Sequence, residues 1–444
     1  MKKRKIDIYI LIIIFLISGV SLAYTQGKKT SDNNSVDTLT INEAIKYVIQ
    51  SHPSVKEIEE TINEARIKTD IAKTSNYPFL DFNASYTRLG PVSSMSFGSS
   101  TFDLYPADNY LTSLKISENI FDFGKTSRNV DYQNENIVLA RQKLEQVKQS
   151  LALTTVNCYY SIIYLQEAIK IKDEQLYDLQ KHLDFVTKKK ETGSAIRYEI
   201  LTTQVRISNI ESQKTDIESL LKIQLSVLNS LLGKPVYSSN NIKTDTNAAI
   251  IGVQDDSLIS YAIGHRIEME IAIEKTTLEE LNYQVVKAQN YPVINVFVSG
   301  GWKNGYFPDF NILTANYIAG IGIVLPVLDF GRNKNNLLLS ESKIIEDNYE
   351  IEIQKRKIEN EVIENLENLK TSQKKLEQFK LQLSLAQEAY SLADINFKDG
   401  AITNLDLLDA STNVSESHFL LLKAKIDYLL NTYKLKSAIG IRLY

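Results

Sequence analysis

A single cysteine, Cys158, occurs in the 444 residues, so no intrachain disulfide can form. That excludes a disulfide-stapled secreted scaffold and leaves a periplasmic or outer-membrane protein open. Cys158 falls on an apolar helical seam and reads as a small buried hydrophobe. Long apolar runs are missing too. After residue 23 none reaches the roughly 18 residues of a membrane helix. The longest, 318–328, is interrupted by Gly320, Gly322 and Pro326. With a mean hydropathy of -0.19, the chain is no polytopic helical membrane protein, and any crossing must be made by strands. Basic charge is not in excess. Lys and Arg number 50 against 54 Asp and Glu, for a formal net charge of -4. No basic stripe or zinc-finger spacing appears, so a nucleic-acid partner is not expected. The four histidines, at 52, 182, 265 and 418, are scattered, and no catalytic triad or paired acid/base site is present. No enzyme activity, cofactor or metal is expected. His52 and His265 hold equivalent places before a helix, which suits a structural role.

The N-terminus carries a leader pattern. Lys2-Lys3-Arg4-Lys5 is a charged n-region, Ile6 to Val20 an apolar h-region, and Ser21-Leu22-Ala23 a small-residue cleavage site. Residues 1–23 therefore read as a signal peptide rather than an anchor, and no cysteine follows to take a lipid.

Proline and glycine are sparse, and where they fall reveals a duplication. Asp122-Phe123-Gly124 returns as Asp329-Phe330-Gly331, Gly193 as Gly400, and Gly233 as Gly440, each pair 207 positions apart. Asn76-Tyr77-Pro78 returns as Asn290-Tyr291-Pro292, but 214 positions apart. The first copy thus holds extra residues in the Gly/Ser/Met-rich stretch 91–100, expected as a longer loop at a hairpin tip. Residues 24–240 form a first structural repeat and 241–444 a second.

Within each copy the hydrophobic period changes. Thr40-Ile41-Asn42-Glu43 is a capping box, and Pro53 suits the first turn of a second helix. After Pro78 strict alternation sets in: Leu80, Phe82, Ala84 and Tyr86 oppose Asp81, Asn83, Ser85 and Thr87. Leu114, Ile116 and Ile120 oppose Ser113, Lys115, Ser117 and Asn119. After Pro292, Ile294, Val296 and Val298 oppose Asn295 and Ser299, and Tyr317, Ala319, Ile321 and Ile323 oppose Gly320 and Gly322. Hairpins are expected over about 79–121 and 293–328, with strands of about 9–11 residues, enough to cross the hydrocarbon layer when tilted.

From 124 to 190 and from 331 to 397 there is no proline and no internal glycine, so each stretch predicts one helix of roughly 100 Å. A 4-3 rhythm runs through Ile344, Asn348, Ile351, Lys355, Ile358, Val362, Asn365, Leu369, Ser372, Leu376, Phe379, Leu383, Ala386, Tyr390 and Ala393. In the first copy it runs through Leu144, Val147, Leu151, Thr154, Cys158, Ile162, Leu165 and Ile169. That spacing is coiled-coil packing. Shorter helices, 194–232 and 403–440, follow tips at Gly193 and Gly400. Each copy then forms two parallel rods, one continuous and one interrupted by its hairpin. Four strands with a lipid-compatible face cannot close into a barrel alone, so the pattern demands several copies of the chain.

A duplicated unit with Tyr-Pro before one strand, Asp-Phe-Gly after the next, and Gly400-x-x-x-x-Leu405-Asp406-x-Leu408-Asp409-Ala410 at a helical tip resembles the TolC-type outer-membrane efflux protein family. The resemblance covers nearly the whole mature chain. It implies an α+β membrane protein, a homotrimer whose twelve strands form one outer-membrane β-barrel and whose twelve helical rods form a periplasmic tunnel. It implies outer-membrane lipid around the barrel. It also implies a periplasmic adaptor protein and an inner-membrane transporter of RND, ABC or MFS type, serving efflux or type I secretion. The alternative from the residues alone is a soluble periplasmic coiled-coil adaptor or scaffold.

Asp122-Phe123-Gly124 and Asp329-Phe330-Gly331 also spell a kinase triplet, but no glycine-rich loop or catalytic-loop motif accompanies them. They read as strand-to-helix junctions, aspartate meeting a helix N-terminus and glycine allowing the swing, while Pro78 and Pro292 mark helix-to-strand junctions. At the tip, Asp406 and Asp409 stand three apart on a helix, so both carboxylates can face one side; on residue types alone they read as a solvated first-turn acidic pair that stabilises the helix N-terminus. The resemblance matches them to the acidic pair ringing the family's periplasmic entrance, with Glu199 the first copy's counterpart. Ile402 stands where the best-studied members carry an arginine, and Phe397 where they carry a tyrosine hydroxyl, both parts of the latch that shuts their entrance. Closure here is therefore expected to rest on other contacts, apolar ones among them.

Overall fold

The structure is a computed structural model that describes residues 38–236, 238, 242–243 and 255–444. The leader expected at 1–23 lies outside the described residues, as does most of the segment joining the two copies. Thr40 opens helix α1 (Ile41–Ser51) with a reciprocal capping box to Glu43. His52 opens α2 (Pro53–Thr74), its Nδ1 accepting from the Ser54 N–H at 3.2 Å. His265 at the end of α5 (Asp255–His265) bonds the Tyr261 carbonyl, so both equivalent histidines are engaged locally. The chain continues through β1 (Phe79–Arg88), β2 (Ser94–Phe97), β3 (Ser100–Asp103) and β4 (Asp108–Phe121) into α3 (Lys125–Glu191) and α4 (Arg197–Leu231). The second copy, after α5, repeats the order as α6 (Ile267–Ala288), β5 (Val293–Lys303), β6 (Thr314–Val324), α7 (Arg332–Lys398) and α8 (Asn404–Ala438). Helices α3 and α7 each run 67 unbroken residues, because neither contains the proline or glycine that would stop them.

Strands β1, β4, β5 and β6 form one antiparallel sheet in that order, leaving β1 and β6 as its edges. The register joins Phe82 to Leu114, Leu80 to Ile116, Ile116 to Val298, and Val298 to Ala319 across one face. Asp81 pairs with Lys115 and Asn83 with Ser113 on the other. Phe297 lies over Gly320, where a Cβ would stand 2.7 Å from its ring. The sheet thus carries an apolar face that the single chain leaves exposed: Leu80, Phe82, Ile321 and Ile323 are all more than half accessible. Three expectations change. Strand β4 has 14 residues, beyond the expected 9–11, because it runs on to pair the top of β1 and is bulged between Asn119 and Phe121. The second hairpin ends at Val324 rather than 328, since Pro326 has no N–H for the ladder. The extra residues of the first copy fold as the β2–β3 hairpin rather than a plain loop.

At each junction the aspartate does more than meet a helix dipole. Asp122 accepts from the N–H of Gly124 at 3.0 Å and of Thr126 at 2.7 Å; Asp329 accepts from Gly331 at 3.0 Å and Asn333 at 2.8 Å. Both carboxylate oxygens are used, which satisfies two otherwise orphan donors at the head of each long helix. The turn requires two successive left-handed residues, Phe123 (φ 54) with Gly124 (φ 83), and Phe330 (φ 53) with Gly331 (φ 84). A phenylalanine there costs energy that glycine avoids, and the aspartate clamp holds it in place.

Helix α3 packs against α2, α4, α6 and α8, while α7 packs mainly against α8 and α6. The central rod α3 therefore buries more than one stripe. Thr155, Val156, Tyr159, Ile162 and Ile163 are fully enclosed, whereas Thr154, expected on the seam, is exposed. Along α7 the covered stripe follows the 4-3 rhythm from Ile358 to Ala393, but Asn348 and Lys355 are exposed and the neighbouring Asp347 and Gln354 are covered. Cys158 is buried, and its burial pushes the thiol up to about 11, so it stays protonated and inert.

Candidate functional site

The tips at Gly193 and Gly400 are built alike. Gly193 (φ 79) lets Ser194 N–H return to the Lys189 carbonyl at 2.8 Å, and Gly400 (φ 75) lets Ala401 N–H return to Asn396 at 2.8 Å. Each glycine ends its long helix in the left-handed cap that other residues adopt only at a cost. Beyond the turns the copies diverge. In the second, Thr403 caps α8 with a full capping box: Asp406 N–H donates to Thr403 Oγ1 at 3.2 Å, and Asp406 Oδ2 accepts from Thr403 N–H at 2.9 Å and its hydroxyl at 2.7 Å. In the first, Ile196 stands at the corresponding cap with no hydroxyl, so the Glu199 side chain takes no part in a box.

The two aspartates expected to act as a pair have separate partners. Asp406 is held to its own helix start, and the Thr403 hydroxyl, then its N–H, hold its carboxyl below the usual carboxylate range. Asp409 is engaged across the copies by Arg206 of α4 at 2.6 Å, and Arg206 also donates to Thr412 at 2.8 Å. Both carboxylates remain exposed. The helix N-terminus role read for the acidic pair from residue type falls to Asp406 alone, and the Arg206 bridge was not read from the sequence. The Thr403-x-x-Asp406 box was visible there; the Arg206 contact spans 203 positions and has no local signal.

Phe397 and Ile402 share one apolar cluster at the tip. Phe397 is 5% exposed and packs with Val186 and Leu407, with Ile402, Ile200 and Phe185 around them. The Phe397 ring lies 5.3 Å from His182 and 4.8 Å from the Lys189 ammonium. A cleft of about 340 Å³ opens beside them, lined by Lys189, Glu199, Thr202, Phe397, Ile402 and Asn404. The site therefore combines an acidic rim with an apolar interior. Among the described residues no group of three or more His, Cys, Asp or Glu could hold a metal ion.

The family model for outer membrane efflux proteins matches residues 44–234 and 258–441. The outer membrane protein TolC of Salmonella enteritidis is 20% identical over 420 residues, covering 91% of this chain and 83% of the relative. The alkaline protease secretion protein AprF of Pseudomonas aeruginosa is 20% identical over 343 residues, covering 75% and 70%. Among solved structures, the Campylobacter jejuni CmeC outer membrane channel superposes with a TM-score of 0.76 at 16% identity, over 95% of this chain and 90% of that one. The duplicated strand-and-rod architecture, the four-stranded sheet with an apolar face and the match across both copies agree, and the chain belongs to the outer membrane efflux protein family as an outer-membrane channel of the TolC type.

Proposed function

We propose that three copies of this chain close into one twelve-stranded barrel and one periplasmic tunnel, passively conducting exported compounds or proteins outward. The observation that carries this is the open sheet. Strands β1 and β6 have unpaired edges and the sheet has an exposed apolar face. In hydrocarbon each unpaired backbone group costs several kcal/mol, so a single chain cannot rest there. The rods carry exposed apolar stripes as well. Leu381, Leu385, Leu392 and Ile395 leave an apolar stripe on α7, and Tyr198, Leu201 and Val205 leave another on α4, all about half exposed or more. Such faces suit contact between copies. The channel works with a periplasmic adaptor and an inner-membrane transporter, the setting that the family's efflux and secretion members suggest. Chemical crosslinking in outer membranes should give a trimer, and the purified protein should conduct in planar bilayers. Recovery of the mature chain in the soluble periplasm would refute the reading and favour a soluble adaptor.

The entrance lies at the tips in this reading, with Asp406 and Asp409 supplying six carboxylates per trimer, the three Asp409 groups each paired with Arg206, and Glu199 adding the first copy's acid. Such a ring favours cations. Asp406→Ala with Asp409→Ala should lower cation selectivity and weaken block by multivalent cations; unchanged selectivity and block would remove these residues from the gate.

A further inference from the structure

We propose that His182 and Asn404 form the clasp that holds the second copy's tip against the first, taking the place of a latch that Phe397 and Ile402 cannot make. The inference rests on reading the tips as the entrance. His182 lies on α3, near its lower end, and its Nε2 meets Asn404 Oδ1 at 2.6 Å on the first residue of α8. The same amide turns its nitrogen to α4, toward the Glu199 carbonyl at 3.5 Å and the Thr202 hydroxyl at 3.4 Å. Asn404 is 6% exposed, so its bonds are not shared with bulk water. The fourth helix, α7, enters through Phe397, bracketed by the His182 ring on one side and by Lys189 on the other; Lys189 also donates to the Phe397 carbonyl at 3.4 Å. Four helices from both copies therefore meet on one amide and one imidazole. A second polar link between the copies near the tip, Arg206 to Asp409, sits on the exposed rim and is screened by salt.

The bonding assigns the ring's protonation. Asn404 can reach two acceptors on α4 only through its Nδ2, so its Oδ1 faces the imidazole and must accept. Nε2 then carries the hydrogen, and Nδ1 is the position that can take a proton. The charged groups around the ring are Lys189 on its own helix, Glu199 on α4 and Asp394 on α7; α8 contributes the neutral amide of Asn404. Burial opposes the imidazolium and outweighs the favourable Asn404 and carboxylate contacts, which holds His182 below its usual range. A neutral ring thus fits the closed tip, and a proton on Nδ1 is better accommodated once the ring is released to water. The sign follows from linkage. A closed-state value below the open-state one means that the clasp is complete above the free histidine value of about 6.5 and weakens as pH falls below it.

The test is conductance of the full-length protein in planar bilayers at pH 7.5 and pH 5.5. Wild type should be nearly closed at 7.5 and rise at least threefold at 5.5. His182→Ala should be open at both values. His182→Gln keeps an N–H donor for Asn404 but cannot titrate, so it should remain nearly closed at both. Asn404→Ala, which leaves the imidazole in place, should open the channel at pH 7.5 and is the second route should His182→Ala lose helix content by circular dichroism. A conducting wild type that is flat with pH and matched by all three variants overturns the clasp alone. Silence of wild type and of every variant at both pH values overturns the channel reading, and the clasp with it.

Discussion

Phe397→Ala separates the packing of the tip from the stability of the rods. The ring is 5% exposed and touches Val186 and Leu407, with His182 and Lys189 beside it. Truncating a buried phenylalanine costs about 3–5 kcal/mol through lost contacts and the space left behind. Here the new space adjoins the open cleft of about 340 Å³, so water can enter and the low end applies. The loss falls on local opening of the tip, because the main core lies far along the rods around Ile45, Val156, Ile162, Leu228 and Leu429. About 3 kcal/mol corresponds to roughly a hundredfold rise in the opening equilibrium. Amide hydrogen exchange across 395–410 should accelerate by about that factor, with cleavage at the turn 399–403 in limited proteolysis. Exchange around 156–163 should be unchanged. Phe397→Leu, which keeps most of the apolar volume, should show roughly a tenth of the effect. Unchanged exchange at the tip, or equal acceleration along the whole of α3 and α7, would refute a locally packed clasp.

Asn304 is 2% exposed, accepts from Tyr110 N–H at 2.7 Å and donates to the Asp108 carbonyl at 2.6 Å, tying β4 to the end of β5. Asn304→Ala should lower stability by about 1–3 kcal/mol, read as a lower thermal midpoint of the assembled channel. Glu274 on α6 is raised to about 7 by burial and then by Glu135, with Gln142 opposing it from α3 at 3.4 Å. A raised carboxyl contributes stability that is complete below its unfolded value near 4.5 and lost as pH rises through about 7. Glu274→Gln should therefore flatten the loss of stability that wild type shows between about pH 4.5 and 7; identical pH dependence in chemical denaturation would dismiss the raised Glu274 carboxyl.

Most of the architecture was legible because its causes are local. The absence of proline and glycine between Lys125 and Glu191 lets a helix run on, and alternation around Phe82 and Ile321 fits a strand with one apolar face. The rhythm misplaced Asn348, Lys355 and Thr154, where helix-to-helix contact shifts the covered stripe by one position. At the tip, Gly193, Gly400, Phe397 and Ile402 were identified as the turn and its neighbours. Their partners were not, since His182 and Asn404 are 222 positions apart and Arg206 and Asp409 are 203 apart.

What the sequence alone determined is whatever depends on neighbours a few residues away: the duplication, the long rods, the sheet's two faces, the glycine turns and the aspartate junctions. Only the tertiary structure decided which polar side chains at the tip meet across the copies. Asp409 reaches across to Arg206, and a histidine with no motif around it becomes the meeting point of four helices. The reason is geometric. Pairing between copies depends on how two rods, each roughly 100 Å long, are set side by side, and a shift of one turn, about 5.4 Å, would give every one of these groups a different partner.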